Sequence, residues 1–88
     1  MEKYFSWGDE RNELLKNTRD ISFQDVILSL SSGKLLDKIK SPTHEHQECY
    51  VLNINDYVYI VPFVEDEEKV FLKTIYPSRK HTKYYLKD

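Results

Sequence analysis

Residues 49–64, Cys49-Tyr50-Val51-Leu52-Asn53-Ile54-Asn55-Asp56-Tyr57-Val58-Tyr59-Ile60-Val61-Pro62-Phe63-Val64, read as two strands and the reversal that joins them. Cys49–Ile54 and Tyr57–Val64 are rich in β-branched and aromatic side chains, which fit a pleated surface. Asn55-Asp56 supplies the tight turn of a hairpin. Pro62 conflicts with a central strand, because it has no amide hydrogen to donate, and a bulge or an unpaired position is expected there.

Working outward, Glu65–Glu68 makes the next turn and Lys69–Tyr76 reads as the last strand. On the other side, Ser41-Pro42-Thr43 forms a loop and Leu35–Ile39 a short strand. The segment before it is a helix with a clear start and stop. Ser22 stands at the N-cap, and Asp25 three residues on completes a capping box with Asp in place of the usual Glu or Gln. Phe23, Val26, Ile27 and Leu30 follow at the i, i+3, i+4, i+7 spacing of one buried stripe. Ile21 before the cap is placed to act as a hydrophobic staple, and Gly33 can take the left-handed conformation that ends the helix.

Nearer the start, Tyr4-Phe5-Ser6-Trp7 alternates as a short strand with Phe5 and Trp7 on one side. Asp9 is placed to cap a helix over Glu10–Arg19, whose main apolar contacts are expected from Leu14 and Leu15. The expectation is an α+β fold: an antiparallel sheet of four to five strands, two helices early in the chain, and a last helical turn or two from Ser78 to Leu86.

Eighty-eight residues, 40 % hydrophobic and 14 % aromatic, fit one folded domain over 1–88. Cys49 is the only cysteine, so no internal disulfide forms, which fits a reducing cytosol. Charges and Trp7 interrupt the first ten residues, unlike a signal peptide, and the longest apolar run, Tyr57–Val64, is too short to span a bilayer. A cytoplasmic protein without membrane contact is expected.

Charge is unevenly divided. Residues 1–68 carry seven bases and fourteen acids, a balance of −7, whereas residues 69–88 carry six bases and one acid, a balance of +5. The basic stretch holds Lys69, Lys73, Arg79, Lys80, Lys83 and Lys87, with His81, Tyr84 and Tyr85 among them. A local positive field beside aromatic rings suits a polyanion, RNA first. The alternative is a solvated strand edge and helix face, where such charges are common.

His44-x-His46 on an extended chain brings two imidazoles to one side, but Cys49 has the other parity and no second chelating pair follows. The segment reads as a polar loop entering a strand, with Cys49 a small buried hydrophobe, and no metal is assigned. With two glycines and no phosphate-cradling loop or nucleophile elbow, the sequence points to no cofactor. Metal-free RNA cleavage asks for proton transfer and for cations around a phosphate whose charge grows. Arg79 offers a fixed fork for that phosphate. Lys73 and Lys80 add point charges, or assist proton transfer if their pKa values are depressed. His81 is a candidate acid or base. Tyr84 and Tyr85, with Lys83 beside them, are candidates for stacking on or holding the substrate. Equally, Tyr84 and Leu86 can simply seal the sheet while His81 faces solvent.

Phe5-x-Trp7-x-Asp9, then Asp20-Ile21-Ser22-Phe23-Gln24-Asp25-Val26, resembles the F-x-W-D … G-I-S-F-E-E signature of BrnT-type toxins. Ile75-Tyr76-Pro77-Ser78-Arg79-Lys80-x-Thr82 resembles that group's I-I-S-A-R-x-A segment. Phe71-Leu72-Lys73-Thr74-Ile75 is similar to the F-L-K-T-I of small BrnT-like proteins, as are Tyr57-Val58-Tyr59 and Pro62-Phe63-Val64. The resemblance implies a RelE/ParE-like fold and the toxin of a type II toxin–antitoxin system. Such a toxin is a metal-independent ribonuclease that inhibits translation, with RNA as substrate, on or off the ribosome. Its implied partner is a DNA-binding antitoxin, of ribbon-helix-helix or similar type, through which alone it meets operator DNA. Arg79 matches the family segment directly; Lys73 and Lys80 come next. Asp20 stands where the family has glycine, a change that Asp tolerates because it too adopts turn conformations. Two further departures define the alternative, a non-catalytic module acting through an antitoxin complex in promoter control: Tyr57–Val64 carries no Arg or Lys where RelE-like nucleases often keep one, and an acidic turn follows it. The acidic turn Glu65-Asp66-Glu67-Glu68 would repel RNA if it lay in the substrate groove.

Overall fold

The hairpin forms the middle of the sheet. In the computed structural model, which describes residues 3–41 and 43–86, β3 (Glu48–Ile54) pairs antiparallel with β4 (Tyr57–Glu65), Ile54 opposite Tyr57 and Glu48 opposite Phe63. Asn55 and Asp56 both have positive φ, 55° and 63°, the backbone a two-residue hairpin needs to match strand twist. The Asn53 carboxamide accepts the Asp56 amide hydrogen at 3.0 Å. β2 (Leu35–Lys40) pairs antiparallel with β3 and carries an irregularity between Leu35 and Asp37.

On the other side of β4 the chain departs from expectation. Lys69–Tyr76 is not one strand: β5 (Lys69–Leu72) pairs with the late half of β4, and β6 (Tyr76–Pro77) with its early half. Leu72 lies opposite Phe63, and Tyr76 opposite Ile60. Four steps on one strand therefore face three on the other, as in a bulge. Pro62 explains where the break falls. Its carbonyl accepts the Lys73 amide hydrogen at 2.8 Å, and in an antiparallel strand a residue's nitrogen points to the same neighbour as its carbonyl. The missing donor of Pro62 thus faces the interrupted strand and leaves the β3 ladder intact.

The sheet is mixed rather than antiparallel. β1 (Tyr4–Trp7) pairs parallel with β5, Tyr4 opposite Lys69 and Trp7 opposite Leu72, giving the order β1-β5-β4-β3-β2 with β6 beside β4. More than sixty residues separate these strands in sequence, so no hairpin constrains their direction. Pairing on the outer edge of β5 brings Phe5 and Trp7 against the core.

α1 (Asp9–Arg19) begins one residue earlier than expected. Gly8 is its N-cap, without a side-chain bond, and its carbonyl accepts the Asn12 amide hydrogen at 3.0 Å. Asp9 and Glu10 instead lie in the first turn and Lys16 and Arg19 in the last, which suits the helix dipole. Leu15 is buried but Leu14 is 49 % exposed, because a short polar helix on the outside shows only a narrow stripe to the core. Asn12 holds the next position on that stripe: its side chain accepts the Phe23 amide hydrogen at 2.8 Å and donates to Gln24 at 3.0 Å. Asp20 closes α1 in the left-handed region, φ 54°, as Asp can. α2 (Phe23–Ser31) has its full Ser22–Asp25 capping box, and Gly33 follows at φ 73°.

Two apolar layers result. On one face, Leu15, Ile21, Phe23 and Val26 from the helical segment meet Leu52, Ile54, Val61, Phe63, Val70, Leu72 and Ile75. On the other, Cys49, Val51, Val58 and Ile60 meet Leu36, Ile39, Tyr85 and Leu86. Each such side chain contributes about 1.5–3 kcal/mol on full burial. The described residues form three helices and a six-stranded mixed sheet. Among them no helix is long and apolar enough to cross a membrane. Pro42 of the expected loop and Lys87 of the basic stretch lie outside the described residues.

Candidate nucleic-acid interface

α3 (Arg79–Tyr85) covers only one end of the second sheet face. Ser78 caps it, accepting the His81 amide hydrogen at 3.2 Å. The Ser78 amide donates to the Val58 carbonyl at 2.9 Å, extending the β4–β6 ladder into the helix start. Arg79, the first residue of α3, is exposed, as are Lys80 and Lys83. The His81 ring nitrogen Nδ1 lies 2.7 Å from the Ser78 hydroxyl. Among the described residues Nε2 has no protein partner, which leaves it available for proton exchange. The imidazole lies nearly parallel to the Tyr85 ring, centroids 6.3 Å apart.

Lys80, His81, Tyr84 and Tyr85 border one cavity of about 350 Å³. Tyr84 is 73 % exposed and meets Tyr85 edge to face at 4.8 Å. Tyr85 and Leu86, not Tyr84, pack on the sheet. The Tyr85 phenol donates to Asp37 at 2.8 Å, and that bond, with lesser contributions from burial and the Asp37 charge, pushes the phenol pKa up. Tyr85 therefore stays a neutral ring, and the exposed Tyr84 presents a face for stacking.

Lys73 stands elsewhere on the same sheet face, at the β5–β6 break. It borders a second cavity, of about 440 Å³, with Arg11, His44, Cys49, Pro62 and Tyr76 among its walls. Arg79 borders neither of these two cavities. Thr74 and Tyr76 also border a groove of about 700 Å³ on the other side of the break, with Arg19, Tyr59 and Pro77. There the Arg19 guanidinium donates to the Ile75 carbonyl at 2.8 Å, satisfying one backbone acceptor where β1 no longer reaches. Arg11, Arg19 and Tyr76 were not legible as site residues, because only the fold brings α1 beside the strand break.

Among the described residues that border these three cavities there is no carboxylate. Among the described residues the acid that α3 contacts is Asp37, engaged by the Tyr85 phenol, and the acidic turn is remote from the helix. Glu65–Glu68 lies at the far end of β4 from Val58 and α3, about 23 Å away at the ordinary rise per strand residue. Glu65 is paired there with Lys3 at 2.9 Å, and Asp66 accepts the Glu68 and Lys69 amide hydrogens at 2.8 and 2.9 Å. His44 and His46 are exposed while Cys49 is 1 % exposed, and burial pushes the Cys49 thiol pKa up. The thiol is a core group facing the floor of the second cavity.

Compared with protein-family models, curated proteins and solved structures, the chain has no match.

Proposed function

We propose that this chain is the toxin of a type II toxin–antitoxin pair, a cytoplasmic RelE-like protein that binds RNA on the α3 side of its sheet and cleaves it without a metal. The observation that carries the reading is the separation of charge. Arg11, Arg19, Lys73 and Lys80 border cavities whose described walls hold no carboxylate. The acidic turn is held at the end of β4 opposite α3 and Lys80, with Lys73 between them, about 10 Å of strand from Glu65. A phosphodiester chain approaching α3 meets cations and aromatic faces rather than the Glu65–Glu68 cluster. Arg79 supplies a bidentate contact to the phosphate under attack, and His81, held through Nδ1 by Ser78, exchanges the proton through Nε2. Lys73 and Lys80, both exposed, act as point charges, with Lys83 steering and Tyr84 and Tyr85 offering rings for bases.

Induction of the gene with and without Arg79→Ala tests this. Losing one contact that strengthens in the transition state lowers cleavage by about 10²–10³-fold, so the variant no longer arrests growth. Arrest that persists unchanged in the variant removes Arg79 from the chemistry.

A second reading has one observation in its favour: Arg79 borders neither the Lys80–His81 cavity nor the Lys73 cavity. In that reading the chain is a non-catalytic module, and an antitoxin uses the exposed cations and tyrosines as its docking surface to control a promoter. Purified protein that degrades translated messages in a ribosome extract rejects it.

A further inference from the structure

We infer that the cavity of about 440 Å³ between α1, the loop before β3 and the β5–β6 break is a binding site for the phosphate group of a nucleotide. Three separate segments each contribute a group that is or can become cationic: Arg11 from α1, His44 from the loop, and Lys73 from the break. Among the described residues no carboxylate borders the cavity, and neither Arg11 nor Lys73 lies within ion-pair distance of one. Like charges gathered around one cavity repel each other, and an anion between them reverses that energy.

His44 is exposed at the wall of the cavity. Its Nδ1 lies 2.9 Å from the Thr43 hydroxyl, and its amide donates to the Ser41 hydroxyl at 3.3 Å. Among the described residues its Nε2 has no protein partner. Thr74 and Tyr76 add hydroxyl groups. The other walls differ in character: Pro62 and the Tyr76 ring give an apolar surface against which a base or ribose can lie. The volume falls within the roughly 300–1,000 Å³ of small-molecule sites. Cations beside an apolar wall fit a nucleotide better than an inorganic ion. The inference shares Lys73 and this cavity with the proposed RNA surface and in that respect rests on that reading, whereas Arg11 and His44 are given no part in the cleavage step.

Amide and side-chain NMR titration of the full chain tests it, with inorganic phosphate, a 5′-mononucleotide, and short single-stranded RNA with and without a 5′-phosphate. Ionic strength is matched by sodium chloride throughout. The expected result is saturable shifts at Arg11, His44, Lys73 and Thr74 with phosphate. The mononucleotide binds more tightly and adds shifts at Tyr76. Tighter binding of the mononucleotide marks a free nucleotide as the natural ligand, and tighter binding of the 5′-phosphorylated RNA marks an RNA end. Arg11→Gln and Lys73→Gln each weaken binding by about tenfold. Lys16→Gln, on the same helix but engaged with Glu13 at 3.2 Å, leaves it unchanged. Shifts no larger than those with sodium chloride, or binding indifferent to both variants, overturn the site. Equal affinity for phosphate and mononucleotide overturns the nucleotide assignment. RNA cleavage is scored separately on Arg11→Gln, a residue outside the cleavage step, so nucleotide binding lost with cleavage intact, or the reverse, tells the two readings apart.

Discussion

The hydroxyl of Thr82 accepts the backbone amide hydrogen of Val58 at 2.9 Å, joining α3 to the middle of the sheet through a single side chain. The same hydroxyl donates to the Ser78 carbonyl at 2.7 Å, and the Ser78 amide donates to the Val58 carbonyl at 2.9 Å. Both backbone polar groups on this edge of Val58 are thus met by the start of a helix, where another strand would ordinarily meet them. The position of every charged group on α3 follows from this junction.

Thr82→Val removes that acceptor while keeping the side-chain shape. The Val58 amide is then buried without a partner, at a cost of about 1–3 kcal/mol, and Thr82→Ser restores most of it. Urea unfolding of the three proteins measures the difference. Equal midpoints for Thr82→Val and the parent would mean that α3 is held by the Ser78–Val58 bond, the Tyr85–Asp37 bond and the packing of Tyr85 and Leu86, without need of Thr82.

Asn12 is 5 % exposed and ties α1 to the first turn of α2 through the Phe23 amide. Asn12→Leu leaves that amide without an acceptor and is expected to lower stability by about 1–3 kcal/mol, despite adding apolar volume. Calorimetry checks it; a stabilised variant would show that the Phe23 amide finds water.

Asp66 gives a pH signature. The Glu68 amide foremost, then the Lys69 amide, hold its carboxyl below the ordinary Asp value. A folded pKa below the unfolded one of about 3.9 contributes stability that is complete above the unfolded value and lost as pH falls through the folded one. Carboxyl-carbon NMR should give Asp66 a midpoint lower than that of an ordinary Asp, with the Glu68 and Lys69 amides shifting at the same midpoint. In Asp66→Asn this acid-side change of the two amides disappears.

RNA affinity should fall with salt, and Lys80→Gln should lessen the slope of log K against log salt by about 0.7, the value for one contact to a single strand. Lys16→Gln, whose charge is spent on Glu13, should leave the slope as it is. An unchanged slope for Lys80→Gln would exclude that ammonium from the interface.

Local chemistry made some elements readable in advance. Ser22 and Asp25 form their capping box, Asn55-Asp56 takes the hairpin backbone, and Ser78 caps α3. The strand break was half legible: Pro62 marks the conflict, but it is the register of β4 against β5 and β6 that puts the extra residue in the 73–75 segment. The parallel pairing of β1 was not legible, since it depends on which edge remains open after the other strands have paired. The same limit applies to the site. Arg79, Lys80 and His81 share one helix and could be grouped by sequence, whereas Arg11, His44 and Lys73 meet only because three distant segments end at one cavity.

The pairing of Tyr4–Trp7 with Lys69–Leu72 also sets an order of assembly. β1 leaves the ribosome more than sixty residues ahead of the strand it pairs with. Until then Phe5 and Trp7 lack the β5 backbone that seats them on the sheet, and contacts this remote in sequence form slowly. Over that interval the β1 backbone has no strand partner, and whatever binds the nascent chain then meets an edge that the folded protein has closed.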